Sequence, residues 1–231
     1  MSDSLNNESK LVVHHLNNSR SQRILWLLEE LEVPYEIKKY RRTPQLRAPE
    51  ELKAVNPLGT APVITDDGVN ISESGAIVEY IIRKYGNGKA RPPTSGEVHD
   101  LYYSHYAEGS LMPLVVNKYI LSIIAEKSPF LVRPVINMLL SQLSSRMFEP
   151  RMRLHANALE EHLAKSSTGW LAGGDEPTSA DYMMLTTLEM WNMLCPEMLG
   201  PRVQEYIKRS HDRAAFQKAL EKGGEYAYAK L

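Results

Sequence analysis

Two short stretches place polar donors where a helix would begin. Asn17-Asn18-Ser19 precedes an amphipathic run from Arg20 to Glu32, and Glu73-Ser74 opens another that reaches Tyr85. A helix N-terminus leaves backbone N–H groups unpaired and carries a partial positive charge, so it suits a carboxylate. Ser74 adds a hydroxyl donor, and Glu73 can accept from an ammonium group. The plainer role for Ser72, Ser74 or Ser19 is to cap the helix that follows. His14 and His15 are neighbours on a strand and point to opposite faces, a poor metal pair, and no metal site is expected. Glu29-Glu30 falls on the outer face of its helix and is expected to be solvated. Arg20, Arg23, Arg41, Arg42, Arg47 and Lys53 lack interleaved aromatics, so they form surface charge and no nucleic-acid groove.

The elements that hold these residues change character near residue 90. Leu11 to His14 reads as a buried strand, and Ile24, Leu27, Leu28 and Leu31 give the following helix one apolar face. Pro34 ends it, and Tyr35 to Tyr40 alternates as a second strand, which implies a parallel pair joined by a right-handed crossover. A short helix from Pro49 to Val55 stops at Asn56-Pro57-Leu58-Gly59. Pro62 to Thr65 and Val69 to Ile71 flank Asp66-Asp67-Gly68, a hairpin signal. The order β-α-β-α-β-β-α predicts a mixed four-stranded sheet. Gly86 to Gly96 is a linker, after which only helical periodicity remains, from about Glu97 to Ala125, Phe130 to Leu163, Ser179 to Met193 and Val203 to His211. Thr178-x-x-Asp181 has capping-box spacing.

Composition narrows the function classes. The 231 residues allow one large or two modest domains, with 43% apolar residues and 27 basic against 28 acidic groups. That balance supplies no field for nucleic acid or anionic lipid. Cys195 is the only cysteine, which excludes an internal disulfide and a CxxC pair and fits a reducing compartment. Met1 to Ser9 lacks the apolar stretch of a secretory signal, and charges and prolines interrupt Leu111 to Leu143. A soluble, cytoplasmic chain without an integral membrane segment is therefore expected.

Several motifs then carry a resemblance. Asn56-Pro57-Leu58-Gly59-Thr60-Ala61-Pro62-Val63 followed by Glu73-Ser74 resembles the glutathione-binding half of glutathione transferases. The Thr178/Asp181 box after a Gly-Gly-Asp turn resembles the folding signature of their helical domain. The run from His15 to Leu31, with Tyr106-Ala107-Glu108-Gly109-Ser110-Leu111, is similar to the fungal and bacterial branch of yeast-type, microsomal or peroxidase-active transferases. The match spans roughly residues 10 to 220 in the right order. It implies a thioredoxin-like α/β domain at 10–88 that holds glutathione and an all-α domain at 97–231 that binds the electrophile.

The resemblance also implies roles. A cis Ala61-Pro62 bond would let Val63 pair with the cysteinyl backbone of glutathione as an added strand segment, although proline is also tolerated at an ordinary strand start. Glu73 and Ser74 would take the γ-glutamyl ammonium and carboxylate. A free thiol has a pKa near 8.5, and lowering it by two units takes roughly 2.7 kcal/mol. One hydrogen bond to a charged acceptor supplies about 1.5–3 kcal/mol, and a helix N-terminus about 0.3–1 kcal/mol. Ser19 stands where serine-type transferases place that donor, but Arg20 replaces the proline that usually follows. Asn17 and Asn18 offer amide donors just before it, so the thiolate donor is Ser19, or one of the asparagines, or Ser19 is only a cap. Lys53 or Arg41 would meet the glycyl carboxylate. Tyr102, Tyr103, His105 and Tyr106 would wall the electrophile pocket or pack the core, and Met183, Met184, Met190 and Met193 more often read as core.

The expected activity is thiolate addition to hydrophobic electrophiles, with reduction of organic hydroperoxides by the same thiolate. The alternatives are a glutathione-binding module without turnover and a glutathione-dependent disulfide reductase. A homodimer is what the family implies. Ala229-Lys230-Leu231 varies the Ser-Lys-Leu peroxisomal signal, while the family default is the cytosol.

Overall fold

A computed structural model describes residues 11–229, so the last two residues of the Ala229-Lys230-Leu231 motif lie outside the described residues. The chain divides into two compact units. One runs up to Lys89 and takes in Arg213–Ala227, and the other holds Ala90–Asp212.

The first unit is built on a four-stranded mixed sheet. Strands β1 (Val12–Leu16), β2 (Glu36–Tyr40), β3 (Val63–Asp66) and β4 (Val69–Ser72) lie in the order β2-β1-β3-β4. β1 and β2 are parallel, joined through helix α1 (Gln22–Leu31), as the strand-helix-strand spacing requires. β3 runs antiparallel to both β1 and β4. The β3–β4 turn is Asp67-Gly68, both with positive φ (48° and 81°), the two-residue geometry whose twist matches the flanking strands. Helix α2 (Glu50–Lys53) is shorter than expected, and α3 (Ser74–Tyr85) buries Ile77, Val78 and Ile81.

Helix α1 is buried almost all round, not on one face. Ile24, Leu25, Trp26, Leu27 and Leu28 are inaccessible, and Gln22 and Arg23 nearly so. The cause is a helix that sequence periodicity missed, α10 (Ala214–Gly223), which packs on α1 with Phe216 edge-on to Trp26 at 5.8 Å. Its sequence position falls in the expected helical region 97–231, but it packs within the first unit. The same packing corrects the expectation for Glu29-Glu30. Their side chains are only 9% and 12% exposed and pair with Lys222 and Arg213. Glu30 also accepts from Trp26 Nε1 at 2.8 Å, and Glu29 from the Tyr35 hydroxyl at 2.6 Å. A glutamate flanking an apolar run is solvated only when nothing covers that side of the helix.

The second unit is helical: α4 (Glu97–Tyr106), α5 (Met112–Lys127), α6 (Arg133–Leu143), α7 (Glu149–Lys165), α8 (Ser179–Leu194) and α9 (Pro201–His211). One-turn π segments at Ala107–Leu111 and Ser144–Phe148 join α4 to α5 and α6 to α7. α8 is central, with Ala180 to Trp191 buried throughout, including Met183, Met184 and Met190. Its start is closed by the expected capping box, Thr178 and Asp181. No helix among the described residues is long and apolar enough to cross a membrane.

Candidate functional site

Register brings three of the singled-out segments to one end of the sheet. His14 of β1 lies opposite Val63 of β3, and Val63 lies opposite Ser72 of β4. The turn after Leu16, the start of β3 and the start of α3 therefore share the β1 C-terminal end. Ser19, Val63 and the Glu73-Ser74 pair all sit there. The Ala61-Pro62 bond that leads into β3 is cis. Ala61 packs against Leu16, Tyr40, Ala48 and Leu52, which ties α2 to the same end.

The start of α3 has the features of an anion site. No side chain caps it, and its first turn carries no acidic residue. Ser74 is buried, and among the described residues its hydroxyl makes no hydrogen bond. Glu73 holds φ 76° and ψ 121°, a left-handed-side conformation that costs a non-glycine residue roughly 1–3 kcal/mol and persists where the surroundings enforce it. The capping alternative for Ser72 and Ser74 does not account for this geometry.

In the β1–α1 turn, Asn17 and Asn18 are anchored through their carbonyl oxygens. Asn17 Oδ1 accepts from the Arg42 N–H at 2.9 Å, and Asn18 Oδ1 from the Ala227 N–H at 2.7 Å. Asn18 has φ 49°, which asparagine tolerates well. Ser19 is buried; its Oγ lies 2.7 Å from Ser21 Oγ and accepts from the Ser21 N–H at 3.2 Å. Ser21 Oγ is in turn 2.9 Å from His15 Nδ1. Burial, followed by the charge of Lys39, pulls the His15 imidazole down to about 4, so it is neutral at physiological pH. The residue pattern weighs His15 only as half of a poor metal pair and does not single out Ser21. Their only signal was the Ser-x-Ser spacing and the strand face on which His15 points.

The remaining candidates are more dispersed. Lys53 pairs with Glu50 at 2.6 Å on the surface of α2, its stem beside Gly59. Arg41 is exposed, and Arg42 donates to the Leu46 and Asn18 carbonyls. In the helical unit, Tyr103 and Tyr106 are buried against α7. The Tyr103 ring lies 4.7 Å from that of His162, and the Tyr106 hydroxyl lies 2.5 Å from His155 Nδ1. Burial, then neighbouring tyrosines, raises both phenols well above their ordinary range, so they stay protonated. Tyr102 is half exposed and stacks on Tyr106 at 5.3 Å, and His105 is exposed. Cys195 is buried, and burial pushes its thiol up, away from nucleophilic use.

Comparison with known proteins fits this architecture. The family model described as the N-terminal domain of glutathione S-transferases matches residues 10–83. Glutathione S-transferase 3 of Schizosaccharomyces pombe is 36% identical over 178 residues, which cover 75% of this chain and 71% of that protein. Glutathione S-transferase 1 of Saccharomyces cerevisiae is 28% identical over 222 residues, 91% of this chain and 94% of that one. Among solved structures, a glutathione S-transferase from Actinobacillus pleuropneumoniae superposes with a TM-score of 0.73 at 24% identity, covering 96% of each chain. A family member from Pseudomonas fluorescens with two glutathione bound gives a TM-score of 0.71 at 20% identity, covering 94% of this chain and 95% of that one. A thioredoxin-like sheet followed by a helical unit thus defines the class, and the chain belongs to the glutathione S-transferase family.

Proposed function

We propose that the chain is an active glutathione transferase whose glutathione sits at the β1 C-terminal end of the sheet. The observation that carries this reading is the uncapped start of α3, where a strained Glu73 and an unused Ser74 hydroxyl lie at the same sheet end as Ser19 and Val63. Ser74 and the first N–H groups of α3 take the γ-glutamyl carboxylate, and Glu73 takes its ammonium. The Val63 backbone pairs with the cysteinyl residue, beside Ala61 and Pro62. Lys53, released from Glu50, meets the glycyl carboxylate.

Ser19 donates to the sulfur and holds it as thiolate. Asn17 and Asn18 are the rivals, because their anchored Oδ1 atoms leave their amide N–H groups as donors. The thiolate adds to a hydrophobic electrophile, and Tyr103, His105 and Tyr106 are the residues of the helical unit proposed to bind it. A hydroperoxide is a second class of acceptor. Sulfur attacks its terminal oxygen, the alcohol leaves, and a second glutathione reduces the sulfenic acid, giving the disulfide and water. The enzyme works as a homodimer in the cytoplasm, a reading that its single, buried cysteine suits.

Steady-state conjugation of an aryl halide, alongside calorimetric titration with glutathione, tests the assignment. Ser19→Ala is expected to lower kcat by about 10- to 100-fold, the range of one charge-assisted hydrogen bond, with glutathione affinity within a few-fold. Wild-type protein that binds glutathione and turns over neither electrophile nor hydroperoxide would leave a binding module in its place.

A further inference from the structure

The turn that carries Ser19 holds a second hydroxyl and an imidazole in line with it. Ser21 is inaccessible and His15 nearly so. Ser19 Oγ, Ser21 Oγ and His15 Nδ1 follow one another at 2.7 and 2.9 Å. We propose that Ser21 and His15 are positioning residues that aim the Ser19 proton at the glutathione sulfur. In this arrangement His15 Nδ1–H donates to Ser21 Oγ, and the Ser21 O–H donates to Ser19 Oγ. The inference rests on the reading of Ser19 as thiolate donor and goes beyond it to what sets that donor's direction.

A hydroxyl has one proton and two lone pairs. With the Ser21 N–H already donating to Ser19 Oγ at 3.2 Å, a second bond from the Ser21 O–H occupies both lone pairs. The single Ser19 proton then has no use within the turn and is left for the ligand. The opposite polarity would spend that proton on Ser21 and send the Ser21 proton to His15. A thiolate beside Ser19 selects the first polarity, because every O–H and N–H dipole in the line then points toward the negative sulfur. Such bonds reinforce one another by roughly 10–30% each. The other acceptor for Ser21, the Leu16 carbonyl, stands at 3.4 Å and competes poorly with neighbours at 2.7 and 2.9 Å.

His15 is suited to this role and not to that of a base. Lys39 lies opposite it in register on β2, and together with burial it disfavours the protonated ring. The end of α10 covers the imidazole, since a Cβ added at Gly223 would stand 3.4 Å from His15 Cε1. The neighbouring His14 faces the other way, its nitrogens 2.8 Å from the Tyr40 hydroxyl and from Thr65 Oγ1, and takes no part. The thiol proton therefore goes to solvent when glutathione ionises, and His15 remains a neutral donor.

The test is the pH profile of kcat/KM, measured with the thiol pKa of bound glutathione, for Ser21→Ala, His15→Leu, His15→Asn and Ser19→Ala. Ser21→Ala and His15→Leu are expected to raise the thiol pKa by about half to one unit, the effect of one neutral hydrogen bond. Their kcat/KM should fall about three- to tenfold near pH 6.5 and stay within about twofold near pH 9.5, where the thiolate forms unaided. His15→Asn, whose amide N–H can replace Nδ1–H, should recover most of the shift. Adding Ser21→Ala to Ser19→Ala should produce no further rise. Equal losses at both pH values, or no recovery in His15→Asn, would overturn the relay. So would an unchanged thiol pKa in Ser21→Ala while Ser19→Ala raises it, and that result would leave the Ser19 assignment standing. An unchanged pKa in Ser19→Ala would remove the reading on which the relay rests. Should His15→Leu fail to fold, Ser21→Ala decides the matter alone.

Discussion

Helices α3 and α8 both begin with a serine at their first position, Ser74 and Ser179, yet the two beginnings are finished in opposite ways. The start of α8 is closed by the chain itself. Asp181, fully buried, accepts from the Thr178 N–H at 2.9 Å, the Leu171 N–H at 3.2 Å and the Tyr206 hydroxyl at 3.0 Å. Asp100 reaches over from α4 to accept from the Thr178 hydroxyl, the Ser179 hydroxyl and the Ala180 N–H at 2.6, 2.8 and 2.8 Å. Two carboxylates thus meet the positive end of the helix. The start of α3 has neither a carboxylate in its first turn nor a side-chain cap, and its preceding residue is held in a costly conformation. A helix end that meets its own anions is architecture; the proposed glutathione site lies at the end whose first turn lacks them.

If that contrast is right, the largest effect should come from the closed end. Asp181→Ala strands three donors in the interior and is expected to cost about 3–5 kcal/mol of unfolding free energy in denaturant titration. Glutathione affinity of the remaining folded protein should be nearly unchanged.

Acid should separate the two regions by sign. His15 is held neutral with its pKa at about 4 against an ordinary 6.5, so in that interval the unfolded chain binds more protons. Its contribution is complete above pH 6.5 and is lost as pH falls toward 4, to a limit of about 3 kcal/mol. Asp181 does the reverse. Burial outweighs its hydrogen bonds and raises it to about 6, so its share of stability is largest below pH 3.8 and declines as pH rises through 6. Denaturant unfolding between pH 7 and 4.5 should show a shallower acid loss in His15→Asn than in wild type. Parallel curves would contradict the burial of a neutral imidazole.

At the open end, Ser74→Ala is expected to leave stability within about 0.5 kcal/mol, because among the described residues its hydroxyl makes no hydrogen bond. It should weaken glutathione about tenfold by calorimetry, the effect of one bond to a carboxylate. A loss of stability without a loss of affinity would recast Ser74 as a structural cap. The smallest effect is expected from Glu73→Gly. It relieves the positive φ and should raise stability by about 1 kcal/mol in denaturant titration, while glutathione binds more weakly for want of the carboxylate.

Much of the open end was legible in the residues, because local signals coincide there with tertiary ones. Strand alternation, Asp67-Gly68 and the apolar face of α3 each fix an element, and the β1-β3-β4 register then carries Ser19, Val63 and Ser74 to one place. The parts that could not be read are those in which one segment answers another far along the chain. α10 has too short an apolar face to announce itself, and the second buried face of α1 has meaning only once Phe216 lies on Trp26. Glu29 and Glu30 misled for the same reason, since their partners Lys222 and Arg213 lie on and beside that helix. Tyr103 and Tyr106 have partners that their spacing on α4 does not announce, the His162 ring beside Tyr103 and His155 Nδ1 at the Tyr106 hydroxyl. The Ser19–Ser21–His15 line crosses from a strand face to a turn and follows no period at all.

The most direct measurement is the ultraviolet thiolate absorbance of glutathione bound to wild type and to Ser19→Ala, titrated with pH. The expected result is a thiol pKa well below 8.5 in the wild type that moves back toward that value when the hydroxyl is removed. A bound thiol that titrates as it does in free solution, in wild type as in the mutant, would contradict it.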